Sequence, residues 1–123
     1  MTKRNLSQSM IIAFEGIAHA LSNERNIRIQ ALIGVIVLAV SLILRIPKNN
    51  VVIILVVSFL VIITELINTS FEKFIDSIHP AHNEEIGKAK DMLAGAVLLS
   101  VILAIIVGLL ILWEPLIEFL RAI

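Results

Sequence analysis

Cysteine is absent from this chain of 123 residues, which excludes disulfides, thiolate zinc sites and thiol catalysis and leaves the redox compartment open. Net charge is absent too. Ten basic and ten acidic side chains balance, and with a pI near 6.8 nothing favours a nucleic-acid partner. The sequence also lacks a G-x-x-x-x-G-K-[ST] loop, a G-x-G-x-x-G loop and the paired H-R-D and D-F-G motifs, so the familiar nucleotide folds are excluded. A secretory leader is not expected either. Met1-Thr-Lys3-Arg4, Met10 to Phe14 and Ala18-His19-Ala20 imitate one. The apolar core ends at Glu15 and Gly16, short of the roughly 7 to 15 residues a signal needs, and the chain is expected to start as a mature protein.

What the chain has in excess is apolar surface. Its 59% apolar share and mean hydropathy of +1.00 exceed the roughly 45 to 50% of an ordinary soluble domain, which places it in a bilayer. Three segments are long and apolar enough to span, namely 27–44, 51–67 and 92–113. In the first, Arg28 and Gln30 are the strongly polar groups, both in its first turn, where Arg28 can snorkel to the interface. Arg45-Ile-Pro47-Lys48-Asn49-Asn50 reads as a tight turn between antiparallel helices. Upstream, 7–21 carries Met10, Phe14, Ile17 and Leu21 on one helical stripe and Gln8, Glu15 and His19 opposite. That is the pattern of an amphipathic surface helix, and equally of a short helix packed on its own bundle. The expectation is an all-α membrane protein, a single domain over 1–123, with three transmembrane helices and an N-terminal surface helix.

The second span is expected to run past the bilayer and stop at His79-Pro80, followed by a polar loop over 79–87. Trp113 marks the far interface, and Glu114-Pro115 is expected to bend the chain into a short tail. Lys3, Arg4, Arg25, Arg28, Lys73, Lys88 and Lys90 lie on one side, against Arg45, Lys48 and Arg121 on the other. The richer side is expected to be cytoplasmic, with the N-terminus inside and the C-terminus outside.

The chemistry concentrates in Glu65-Leu-Ile-Asn68-Thr69-Ser-Phe-Glu72-Lys-Phe-Ile-Asp76. At 100° per residue, positions 65, 68, 69, 72 and 76 fall within about 100° of arc, so three carboxylates, an amide and a hydroxyl share one helix face. Ionisable groups at membrane depth cost roughly 2.5 to 3.5 kcal/mol each on insertion scales and mark functional sites by default. Glu65 lies about 21 Å along a roughly 30 Å hydrocarbon core, near its inner boundary, where a carboxylate can meet a lipid hydroxyl or simply pair with a neighbouring helix. Glu72 and Asp76, one turn apart, suit a hard cation such as magnesium, although such a pair is more often a solvated helix end.

The remaining candidates have ordinary readings beside the functional ones. Glu24 offers a further carboxylate, or an i,i+4 ion pair with Arg28, which is the favoured reading of the residues alone. Lys90-Asp91 resembles a phosphate contact, or a positive-inside lysine followed by a helix-capping aspartate. His79 and His82, with no third partner in sequence, make a poor zinc site. Gly87, Gly95 and Gly108 fit close packing of membrane helices.

Taken together, the run from Glu65 to Asp76 and the run Ala89-Lys90-Asp91-Met-Leu-Ala94-Gly95-Ala96-Val97 resemble the bacterial integral-membrane diacylglycerol kinase and undecaprenol kinase family. The resemblance covers nearly the whole chain, including the surface helix, the three spans and the Glu24 motif. It implies a homotrimeric bundle in the bacterial cytoplasmic membrane, with active sites shared between protomers, using ATP and a membrane lipid alcohol. Glu65 would be the general base and Asn68 would orient the acceptor. Glu24 and Glu72 would bind Mg2+ bridged to ATP, Asp76 would support that shell, and Lys90 with Asp91 would engage the nucleotide, with Ala81 to Asn83 nearby. Ile12, and Ser70-Phe71 in place of the more usual Ala-Ile, depart from the family pattern without removing a charged group.

Glu24-Arg-Asn26-Ile-Arg28 and Ala94-Gly95-Ala96-Val97 look closer to the undecaprenol branch than to the diacylglycerol branch. A transporter or channel would need a polar path across the bilayer, yet beyond Glu65, Asn68 and Thr69 the second and third spans offer only Ser58, Thr64 and Ser100. A non-catalytic assembly subunit would have no use for Glu65 together with the interfacial acids.

Overall fold

A computed structural model describes residues 3–123, so the first two residues of the leader-like stretch lie outside the described residues. The fold is all-helical, in the order α1 (Leu6–Asn23), α2 (Arg25–Ile43), α3 (Lys48–Ile78) and α4 (Glu84–Ala122). The last three are each long and apolar enough to cross a membrane. α3 is the central element, packing most extensively on α4 and then on α2, while α1 touches α2 at a few positions.

α1 opens with a reciprocal capping box. The Asn5 side chain accepts from the Gln8 amide at 2.8 Å, and the Gln8 side chain accepts from the Asn5 amide at 3.1 Å. Its stripe of Met10, Phe14, Ile17 and Leu21 is uncovered by the rest of the chain, so this apolar face is not packed on the chain's own α2, α3 or α4. Glu24 alone separates α1 from α2. Its amide closes α1 on the Ala20 carbonyl at 2.8 Å, and its carbonyl accepts from the Arg28 amide at 3.2 Å. The sharp joint leaves α1 carbonyls unpaired, and the Arg28 guanidinium satisfies two of them, Leu21 and Ser22, at 3.1 and 2.8 Å. Arg28 is therefore committed to backbone, and the Glu24 to Arg28 ion pair favoured from sequence does not form.

The α2–α3 turn is shorter than the span 45–50 suggests, because Lys48, Asn49 and Asn50 already belong to the first turn of α3 and Pro47 precedes it. α2 closes with a Schellman arrangement. Ile46 donates to the Ser41 carbonyl at 3.3 Å and Arg45 to the Leu42 carbonyl at 3.2 Å, with Arg45 at φ 53 in the left-handed position that glycine usually fills. Buried Ile46 seals the motif.

Two expectations about α4 are corrected. Asn83, not Asp91, caps it, its side chain accepting from the Ile86 amide at 3.1 Å. The connection is thus confined to 79–83, and Lys90 and Asp91 sit well inside the helix. Nor does Glu114-Pro115 bend the chain into a tail, since α4 continues through Pro115 to Ala122. The proline removes one backbone bond, whereas ending the helix there would leave several carbonyls unpaired at the membrane boundary.

Candidate active site

α3 buries a stripe composed of Ile54, Val57, Val61, Glu65 and Ile75. The 3.6-residue period that turns the aliphatic members inward carries the carboxyl group with them, so Glu65 is only 5% exposed although its side chain is ionisable. On the α2 side, Gly34 lets the helices approach closely, its position lying opposite the Ser58 side chain. On the α4 side, Thr64 and Ser100 share a hydrogen bond of 2.9 Å. These two contacts set the register of both neighbours, Thr64–Ser100 beside Glu65 and Gly34–Ser58 two turns away.

Two amide oxygens at this depth are buried without a partner among the described residues, Asn68 Oδ1 one turn beyond Glu65 and Gln30 Oε1 on α2. The antiparallel register fixed by Gly34 and Ser58 places Gln30 one turn from Gly34 towards the Glu65 end of α3. A buried acceptor without a donor costs roughly 1 to 3 kcal/mol, so each of these oxygens is suited to receive a hydrogen bond from a hydroxyl. Asn68 is legible in the sequence as part of the polar face. Gln30 reads there only as a polar residue at the edge of a span, and its burial becomes visible through the packing of α2 on α3.

Further along the same face the site becomes ionic. Asp76 accepts from Lys90 at 2.6 Å, joining the extension of α3 beyond the bilayer to α4. The Asp76 carboxylate, first through the hydrogen bond and then through its charge, with Glu72 adding attraction, holds the Lys90 ammonium above its ordinary range. Glu72 itself makes no ion pair among the described residues. Glu24 reaches the same region from the α1–α2 joint and pairs with Lys73 at 2.9 Å. Sequence alone offers no signal for that contact.

The structure therefore draws Glu24, Glu72, Asp76 and Lys90 to one end of the bundle, continuous with Glu65 and Asn68. Asp91 is exposed on α4 and forms no ion pair among the described residues. Among the described residues no three acids or histidines converge as a closed metal cage, and His79 instead meets the Ala81 carbonyl at 3.1 Å. An open arrangement of one or two carboxylates, with phosphate oxygens and water completing the shell, is what a nucleotide-bound divalent cation requires, and Glu72 and Asp76 fit it. A shallow polar hollow between Asp76, His79, Asn83 and Lys90 adjoins this pair.

Comparison with known proteins identifies the family of the chain. The model of the family described as prokaryotic diacylglycerol kinase matches residues 11–112. The chain belongs to that family. That family is one of ATP-dependent lipid kinases, and the three helices long and apolar enough to cross a membrane make this chain a multi-pass membrane protein. A diacylglycerol kinase of Synechocystis sp. is 37% identical over 115 residues, covering 93% of this chain and 66% of the relative. The chain thus spans slightly less than two thirds of that relative's length. The diacylglycerol kinase of Escherichia coli K12 is 29% identical over 102 residues, covering 83% of this chain and 84% of the relative. A diacylglycerol kinase of Shigella flexneri matches to the same extent.

Proposed function

We propose that this chain transfers the γ-phosphate of ATP to the primary hydroxyl of a membrane lipid alcohol, with Glu65 as the general base. The observation that carries the reading is a carboxylate buried at membrane depth on α3, on the helix face that continues through Glu72 to the Asp76–Lys90 pair. Lipid hydroxyl and cytoplasmic nucleotide can meet only at such a boundary.

Glu65 accepts the hydroxyl proton as the lipid oxygen bonds to the γ-phosphorus and the bond to the ADP oxygen breaks. Asn68 and Gln30 accept hydrogen bonds from the acceptor or from the protonated carboxyl, fixing the direction of attack. Glu24 and Glu72 would hold Mg2+, which would neutralise phosphate charge, and Asp76 would support that shell. Lys90 engages the nucleotide, with Asp91 at the rim of its site. The reading includes a single membrane kinase domain over 1–123 and the N-terminus inside and C-terminus outside. It also includes a homotrimer with active sites shared between protomers, as the family resemblance implies.

Two acceptors fit a site that recognises little beyond a hydroxyl and an apolar tail. The Glu24-to-Arg28 and Ala94-to-Val97 motifs favour undecaprenol, and the names of the relatives favour diacylglycerol. Phosphoryl transfer from labelled ATP in micelles holding one lipid or the other, beside the Glu65→Gln variant, decides both points. No magnesium-dependent lipid product from either acceptor would overturn the kinase reading, and a fully active Glu65→Gln would remove the assigned base.

A further inference from the structure

We propose that Lys73 is a resident counter-ion that yields Glu24 to the divalent cation and turns to the nucleotide phosphates when that cation binds. The inference rests on the reading of Glu24 as a metal-binding carboxylate.

Three observations converge on it. Lys73 Nζ lies 2.9 Å from Glu24 Oε1, in the position a cation ligand would take. Glu24 is restrained by the one-residue joint between α1 and α2, where its backbone amide and carbonyl are both hydrogen-bonded, and its side chain is only 25% exposed, so the carboxylate has little freedom to turn elsewhere. Lys73 is 60% exposed at the end of a flexible four-carbon stem, so it is the partner able to leave.

The exchange follows from charge. Magnesium binds a carboxylate oxygen at about 2.0 to 2.1 Å, and an ammonium held on the same oxygen would face it as a like charge at short range. An incoming metal–nucleotide complex supplies a cation for Glu24 and an anionic phosphate for Lys73, so each charged group exchanges one partner for another and none is left unpaired. The Asp76–Lys90 pair has the same composition, and Lys90 also feels the charge of the unpaired Glu72. In the absence of nucleotide each ammonium neutralises the carboxylate it pairs with, Lys73 on Glu24 and Lys90 on Asp76.

The test uses the full chain in lipid nanodiscs, with Mn2+ alone titrated by its electron paramagnetic resonance signal and ATP kinetics measured in parallel. An ion pair of this exposure is worth up to about fivefold in an equilibrium constant. Lys73→Met is expected to tighten Mn2+ binding about two- to fivefold and to raise the KM for ATP with a smaller change in kcat. Lys73→Arg is expected to restore the KM. Lys88→Met removes the same charge from a lysine that, among the described residues, pairs only with Glu84 and Glu85 and is expected to leave Mn2+ binding near that of the parent.

Weakened or unchanged Mn2+ binding in Lys73→Met overturns the inference, because a merely structural lysine would loosen Glu24 or do nothing. Equal tightening in Lys88→Met overturns it as well, reducing the effect to net charge. Glu24→Gln separates the two levels. If it binds Mn2+ as tightly as the parent, the metal reading of Glu24 falls and the Lys73 inference with it; if it binds poorly while Lys73→Met is unaltered, the Lys73 inference falls alone.

Discussion

Lys90 and Asp76 meet at 2.6 Å across the polar end of the α3–α4 pair, and this contact ties the two helices together there. Because the pairing raises the Lys90 pKa, its contribution is fully present below the ordinary lysine value of 10.5 and is lost only as pH climbs through the higher folded value. Lys90 therefore stays charged over the whole neutral range. Asp76→Asn is expected to raise the KM for ATP, and the variant's pH–rate profile should show no new alkaline limb below that value.

Glu65→Gln should separate chemistry from stability. General-base catalysis is typically worth about 100- to 10,000-fold, so the loss in kcat should be of that order. A neutral amide is easier to bury than a carboxylate, so resistance to unfolding in mixed micelles should be equal or higher. A variant that loses activity by unfolding would show the opposite thermal shift.

The Thr64–Ser100 bond of 2.9 Å links α3 to α4 within the membrane. Each hydroxyl also lies within hydrogen-bonding reach of its own helix, Thr64 to the Val61 carbonyl and Ser100 to the Val97 carbonyl. Each hydroxyl has one proton, so whichever donates across the interface shares or gives up its local bond. The coupling between Thr64→Val and Ser100→Ala in a double-mutant cycle is accordingly expected near 0.6 kcal/mol, about the average for membrane interhelical bonds, read from unfolding in mixed micelles.

Arg45 holds a left-handed conformation at the end of α2. Replacing it with glycine removes a steric penalty of roughly 1 to 2 kcal/mol and is offset in part by the greater freedom of glycine in the unfolded chain. Arg45→Gly is therefore expected to raise the thermal midpoint while leaving activity unchanged.

Gly34 faces Ser58 with room for one methyl, since an added Cβ would sit 3.8 Å from the Ser58 Cβ. Gly34→Ala should be tolerated and gain up to about 1 kcal/mol of helix propensity. Gly34→Leu should separate α2 from α3 and lower both stability and activity, because the same interface buries Gln30 beside the site.

Much of this protein follows from local properties of its sequence. The uninterrupted apolar runs determine three spans, since a bilayer requires about 20 such residues regardless of what surrounds them. The arc shared by Glu65, Asn68, Glu72 and Asp76 depends only on the 100° step of a helix, so that polar face is legible before any packing is known. The tertiary structure decided the pairings between helices. Glu24 joins Lys73 and not Arg28 because the α1–α2 joint leaves carbonyls that Arg28 must satisfy. Lys90 reaches Asp76 because α4 begins at Glu84, several residues before its apolar run. Gln30 is buried because Gly34 lets α2 approach α3 closely. These outcomes depend on register between segments distant in the chain, and periodicity within one helix carries no information about which turn of its neighbour it will face.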